Sequence, residues 1–211
     1  MTTAADFLPL DTGLPSLRAS ADHCRGCALH EHATQTVFGQ GRADAELMLV
    51  GEQPGNVEDR RGTPFVGPAG QLLDQALDDA GIRRGDVYLT NVVKHFKWRP
   101  GRQGMRLHAT PNTTEVLSCL PWLKAEIETV RPRVLVCLGR TAARALIHPS
   151  LSLAQYRGTL FTSQLVPHLM PTLHPAAVLR APPALRESAF ADLVHDLATA
   201  ADTLTQDQDL P

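Results

Sequence analysis

No apolar run in this sequence approaches the ~20 residues that a membrane-spanning helix needs. Residues 1 to 17 hold no basic stretch followed by an apolar one, so no signal peptide is expected and the cytoplasm is the expected compartment. Neither sign of charge dominates: 20 Lys and Arg face 22 Asp and Glu, for a net −2. That balance excludes a chain that binds polyanions by bulk charge. There is no internal repeat and no low-complexity block, which excludes solenoids and linker-like disorder. Cysteine is scarce, with four residues, Cys24, Cys27, Cys119 and Cys137. In a cytosolic chain of this size they read as metal ligands or core residues rather than a disulfide framework.

What remains is an ordinary globular composition of 43% apolar and 20% charged residues in 211 positions, enough for one compact domain. Residues 1–20 and the acidic end, 203–211, are expected to be poorly ordered tails. Short apolar runs at 46–51, 87–93 and 133–138 read as buried strands, and 159–161 and 169–173 as two more. Between them, 69–80, 113–130 and 141–147 carry helical patterns, and 188–201 closes the chain as an amphipathic helix. Residues 52–68 and 94–111 read as loops. This alternation predicts a three-layer α/β/α sandwich around a central, mainly parallel four-stranded sheet. Ligands of such sheets bind beyond the carboxyl ends of the strands. Three segments there are chemically loaded: 51–55, 91–108 and 174–180. The second holds five basic residues between Lys94 and His108 and no acidic one, a local phosphate-binding candidate or a solvated loop.

Cys24-Arg-Gly-Cys27 supplies half of a metal site. Cys119 sits on a polar-faced helix and is taken as a third ligand. Cys137 lies inside an apolar run and is taken as packing. The fourth ligand is either His95, since histidine replaces cysteine in some clusters, or Cys137 itself.

Several motifs occur in an order and spacing that resemble one family. Gly51-Glu-Gln-Pro-Gly55 with Gly62-Thr-Pro-Phe-Val-Gly-Pro-Ala-Gly70, Leu89-Thr-Asn-Val-Val-Lys94, and His174-Pro-Ala-Ala-Val-Leu-Arg180 resemble motifs of family 4 uracil-DNA glycosylases. The C-x-x-C pair and Cys119-Leu-Pro-Trp122 resemble that family's cluster ligands. Gln53, His95 and the insert ending Gly104-Met-Arg-Leu-His108 are similar to the UdgX type, which bonds covalently to uracil-containing DNA. That insert usually reads Lys-Arg-Arg-Ile-His, so only Arg106 and His108 match identically.

The resemblance implies a 4Fe–4S cluster held by Cys24, Cys27, His95 and Cys119. It implies Phe65 as the stacking face and Asn91 as the reader of the uracil edge. His174 would donate to the uracil oxygen, Glu52 would serve as acid/base, and His108 would be the nucleophile. Gln53 and Asp59 join the substrate side, Asp59 by positioning the loop. Arg180 is expected to contact a phosphate or brace the His108 loop, and Lys94 and Arg106 to contact DNA. The expected partner is uracil-containing DNA, preferentially single-stranded, acted on by a monomer.

Overall fold

A computed structural model describes residues 2–206. Four parallel strands form the central sheet: β1 (Leu47–Gly51), β2 (Val87–Asn91), β5 (Val134–Leu138) and β6 (His168–Thr172), in the order β2-β1-β5-β6. Two short strands, β3 (Trp98–Pro100) and β4 (Arg106–His108), form a separate antiparallel hairpin.

The central strands β1 and β5 are apolar and buried at every position because both faces of the sheet are covered. Met48, Val50, Tyr88, Leu135, Cys137 and Leu169 point into one core with α1 (Leu14–Ala21), α4 (Thr113–Val130) and α5 (Arg140–Leu146). Leu47, Leu49, Leu89, Val136, Leu138 and Met170 point into the other, with α3 (Pro68–Asp79), α7 (Pro175–Arg180) and α8 (Pro183–Gln206). Period-two alternation thus assigns each side chain to one of two layers.

The chain leaves β1 through α2 (Asn56–Arg61) and α3 to reach β2 on one side, and leaves β2 through α4 to reach β5 on the other. The strand order therefore reverses between β1 and β5. Their carboxyl ends open a crevice there, as in other doubly wound sheets.

The structure corrects several sequence readings. The N-terminal segment is ordered rather than a tail. Ala4, Leu17 and Ala21 are fully buried, and the Ser20 hydroxyl donates to the Phe7 carbonyl at 2.5 Å. At the other end α8 runs to Gln206, well beyond the expected stop; the rest of the expected tail, 207–211, lies outside the described residues. The stretch expected as strand 159–161 forms only a bridge, Phe161 to Leu169. The loop after β1 contains α2, and the long basic connection contains the β3–β4 hairpin. A short four-residue helix, α6 (Leu153–Tyr156), precedes β6.

Candidate active site

A cleft of about 760 Å³ opens at the carboxyl ends of β1 and β5. Its inner wall begins at Gly51, the last residue of β1. A Cβ there would meet the Asn91 Oδ1 at 2.4 Å and the Phe65 ring at 2.8 Å, so glycine is what lets these two side chains converge.

Phe65 is held rigidly. Its backbone is left-handed (φ 54°), a strained state for an aromatic residue that persists only where the surroundings over-determine it. Those surroundings are visible: Arg84 donates to the Phe65 carbonyl at 2.9 Å, and the Glu58 carboxylate accepts from the N–H groups of Val66 and Gly67. The ring stacks toward His174, with centroids 6.3 Å apart and planes 28° apart. Asn91 ends β2 and is 3% exposed. It lines the cleft, and its side-chain amide makes no hydrogen bond within the protein among the described residues. A buried amide with free donor and acceptor is suited to one edge of a planar ligand.

His174 caps α7, and its Nδ1 accepts from the Ala176 N–H at 3.0 Å. Burial pushes its pKa down to about 4; the Glu52 charge works against this, and Arg180 and His108 add to it. The ring is therefore neutral at physiological pH. With Nδ1 accepting, the proton resides on Nε2, which makes His174 an uncharged donor.

Glu52 follows β1. One carboxylate oxygen, Oε2, accepts from the Thr141 hydroxyl on α5; the other, Oε1, lies 3.3 Å from His108 Nε2. Burial alone would raise this carboxyl. Hydrogen bonds from His108 and Thr141, with a further electrostatic contribution from His108, overcome that effect and hold it below the usual carboxylate range. Glu52 is thus an ionised acceptor aimed at His108. Thr141 carried no signal in the sequence beyond its place just after a strand-ending glycine.

His108 reaches Glu52 because the hairpin is pinned at its base. The Gln53 amide donates to the carbonyls of Lys97 and Ala109 and accepts from the Lys97 N–H at 3.0 Å. Gln53 lines the cleft, but its amide is committed to both stems of the hairpin instead of to a ligand.

Arg106 is also internal rather than a surface DNA contact. It bonds Asp59 at 2.6 Å and Asn56 at 2.8 Å, and its guanidinium packs against the rings of Phe96 and Trp98. Asp59 is fully buried, accepts from Thr34 as well, and so holds the hairpin against α2 instead of touching a substrate. Lys94 likewise cannot reach DNA. It is fully buried, and its ammonium sits on Glu126, the Thr90 hydroxyl and the Asn91 carbonyl. Glu126, four turns along α4 from its cap, was not legible as its partner. Arg180 is exposed at the rim of the cleft.

None of the expected metal ligands lines this cleft. Cys24 and Cys119 share one buried cluster with Cys27 packed against it. Burial pushes the Cys119 thiol up to about 12, with Lys94 opposing and the Cys27 and Cys24 charges adding to it. Burial also raises Cys27, its bond to the Leu29 backbone opposes this, and Cys24 contributes to the rise. The three sulfurs are thus within electrostatic reach of one another. The Lys94 N–H donates to Cys119 Sγ at 3.3 Å, which puts His95 one residue away. His95 Nε2 lies 3.0 Å from the Thr36 hydroxyl. Cys137 is fully buried on β5 in the same core layer, but burial alone raises its thiol and no other cysteine contributes. Among the described residues, no three His, Cys, Asp or Glu side chains gather tightly enough to hold a metal ion as they stand. The donor set nevertheless suits iron–sulfur chemistry in kind: soft, desolvated thiols with one imidazole.

A strained aromatic wall, a free amide at a strand end, a neutral imidazole donor and a carboxylate–imidazole pair define a site for a flat heterocycle. Residues 38–198 match the uracil DNA glycosylase superfamily, and the chain belongs to that superfamily. It is similar to a type-4 uracil-DNA glycosylase of Pyrobaculum aerophilum, with 41% identity over 85% of this chain and 91% of the relative. The type-4 uracil-DNA glycosylase of Thermotoga maritima is 40% identical over 74% of this chain and 78% of the relative. Among solved structures, the crystal structure of Pedobacter heparinus SMUG2 superposes with a TM-score of 0.53 and 11% identity, covering 77% of each chain. That likeness bears on the fold alone. No helix among the described residues is long and apolar enough to cross a membrane.

Proposed function

We propose that this protein excises uracil from DNA and then joins His108 covalently to the sugar it has exposed. Two type-4 relatives with about two-fifths identity support the first half. The contact of Glu52 Oε1 with His108 Nε2, 3.3 Å, carries the second.

A stacked base is out of reach of any enzyme, so the uracil must swing into the cleft. Phe65 covers one face of the ring. Asn91 reads an edge, and the opposite polarity of uracil and cytosine at N3 and C4 makes that reading selective. As the C1′–N1 bond breaks, its electron pair leaves with the base. Negative charge grows on the uracil oxygens, where a neutral His174 Nε2–H donates. Positive charge grows on the sugar, as in glycoside cleavage, and faces the ionised Glu52. His108 then closes the reaction. Its Nε2 proton passes to Glu52, and the nitrogen's electron pair forms the bond to C1′. The site is consumed, so each molecule reacts once.

Cys24, Cys27, His95 and Cys119 would hold a 4Fe–4S cluster. When bound, it ties the N-terminal segment to α4 and β2, a structural contribution. The protein acts as a cytoplasmic monomer and favours single strands, where no duplex has to be opened.

Denaturing electrophoresis with a uracil-containing oligonucleotide tests the reading. A heat-stable shifted band that vanishes in His108→Ala is the expected result. Abasic product released with many turnovers per protein molecule instead favours ordinary glycosylase action.

A further inference from the structure

The cleft is larger than its chemistry needs. A volume of about 760 Å³ lies within the ~300–1,000 Å³ that takes drug-sized ligands, and a single pyrimidine fills only the inner end. The outer end is lined by Arg140 and Arg144 of α5, Arg180 of α7 and the segment at Ser150–Ala154. All three arginines are exposed. None forms an ion pair among the described residues; Arg144 makes one long hydrogen bond, 3.4 Å, to the Leu151 carbonyl.

The carboxylates of the same cleft cannot neutralise them. Glu52 is engaged by His108 and Thr141, and Glu58 by two backbone N–H groups. Three unpaired guanidiniums thus surround one opening in a chain whose net charge is −2. Arg140 and Arg144 are four residues apart on one helix, so they share a face about one turn apart. Like charges so placed weaken an isolated helix. They are explained by a polyanion with repeating charge, and guanidinium forks suit phosphate. Phe65, Asn91 and His174 line the same cleft, so the polyanion would be continuous with whatever they hold.

We infer that Arg140, Arg144 and Arg180 form a seat for the phosphodiester backbone of single-stranded DNA beside the flipped nucleotide. This rests on the reading of the cleft as a uracil-DNA site. Arg180 was already a candidate phosphate contact; Arg140 and Arg144 are assigned by the structure. Arg140 also neighbours Thr141, so backbone seating and the Glu52–His108 pair are set by the same turn of α5.

The test uses the full-length protein and its Arg140→Gln/Arg144→Gln variant, whose exposed substitutions leave both cores intact. Fluorescence anisotropy with a thymine-only single strand gives the salt dependence of binding. Each phosphate contact on a single strand adds about 0.7 to the slope of log affinity against log salt. The variant should lose about 1.4, while Lys124→Gln on the outer face of α4 should lose none. A second arm replaces the phosphate next to a uracil by a neutral methylphosphonate. The native protein should react several-fold more slowly with it, and the double variant should show a much smaller difference. An unchanged salt slope in the double variant overturns the inference. A reduced slope in a protein that processes no uracil at all keeps the seat and rejects the proposed activity.

Discussion

Lys94 gives the sharpest test of how this fold uses its charges. Its side chain is 1% exposed and that of Glu126 is 0% exposed. The ammonium also bonds the Thr90 hydroxyl and the Asn91 carbonyl, each at 2.7 Å. Lys94→Met removes the cation and leaves a buried carboxylate. Glu126 keeps donors from Tyr88, Thr90 and Gly39, each at 3.0 Å, which soften the loss without cancelling the charge. Breaking one side of a buried pair costs about 3–5 kcal/mol. At about 2–4 °C per kcal/mol for a chain of this size, the melting temperature should fall by about 6–20 °C. Adding Glu126→Gln removes the orphaned charge, so the double variant should melt above Lys94→Met. Circular dichroism melts of the three proteins check both statements. The reasoning fails if Lys94→Met melts like the native protein and instead loses about 0.7 of salt slope in single-strand binding, the mark of a phosphate contact.

Further outcomes follow from the site. Thr141→Val removes a hydroxyl donor to a carboxylate, a bond worth about 1.5–3 kcal/mol. Glu52 is held below the usual range, so losing that donor raises it, and the acid limb of the pH–rate profile should move to higher pH, with Thr141→Ser restoring it. Burial first, opposed by Glu52, sets His174 at about 4 against 6.5. The unfolded chain then takes a proton that the native one refuses. This part of the stability is whole above pH 6.5 and shrinks as pH falls towards 4, by up to about 3 kcal/mol. Urea melts across that window should show the decline, reduced in His174→Asn, whose amide can still cap α7. Gln53→Ala frees both stems of the hairpin, so the ratio of cross-linked to free abasic product on gels should drop while uracil release continues.

The sheet and most helices were legible because burial on two faces leaves unbroken apolar runs such as Val134–Leu138, and helices leave 3.6-residue periodicity such as Leu73, Ala76 and Leu77. The hairpin was not, since Trp98–Pro100 and Arg106–His108 are three residues each and carry no alternation that outweighs their charge. Helix α2, Asn56–Arg61, is five polar residues and one valine and was hidden for the same reason. Motif order indicated Glu52, Phe65, Asn91, His108 and His174, and the fold brings them to one cleft. Charge did not say which side chains are internal. Lys94 finds Glu126 32 positions away and Arg106 finds Asp59 47 positions away, distances over which a single sequence carries no pairing signal. Thr141, Glu58 and Glu126 are ordinary residues until the backbone aims them.

The central claim is a bond between His108 and the sugar left by uracil. Mass mapping of protein treated with a uracil-containing single strand, nuclease-trimmed and digested with trypsin, tests it directly. His108 is the only histidine in the peptide Leu107–Lys124. That peptide should carry the mass of an abasic nucleotide on His108, and the adduct should be absent with thymine-containing DNA. Quantitative uracil release with this peptide recovered unmodified contradicts the account.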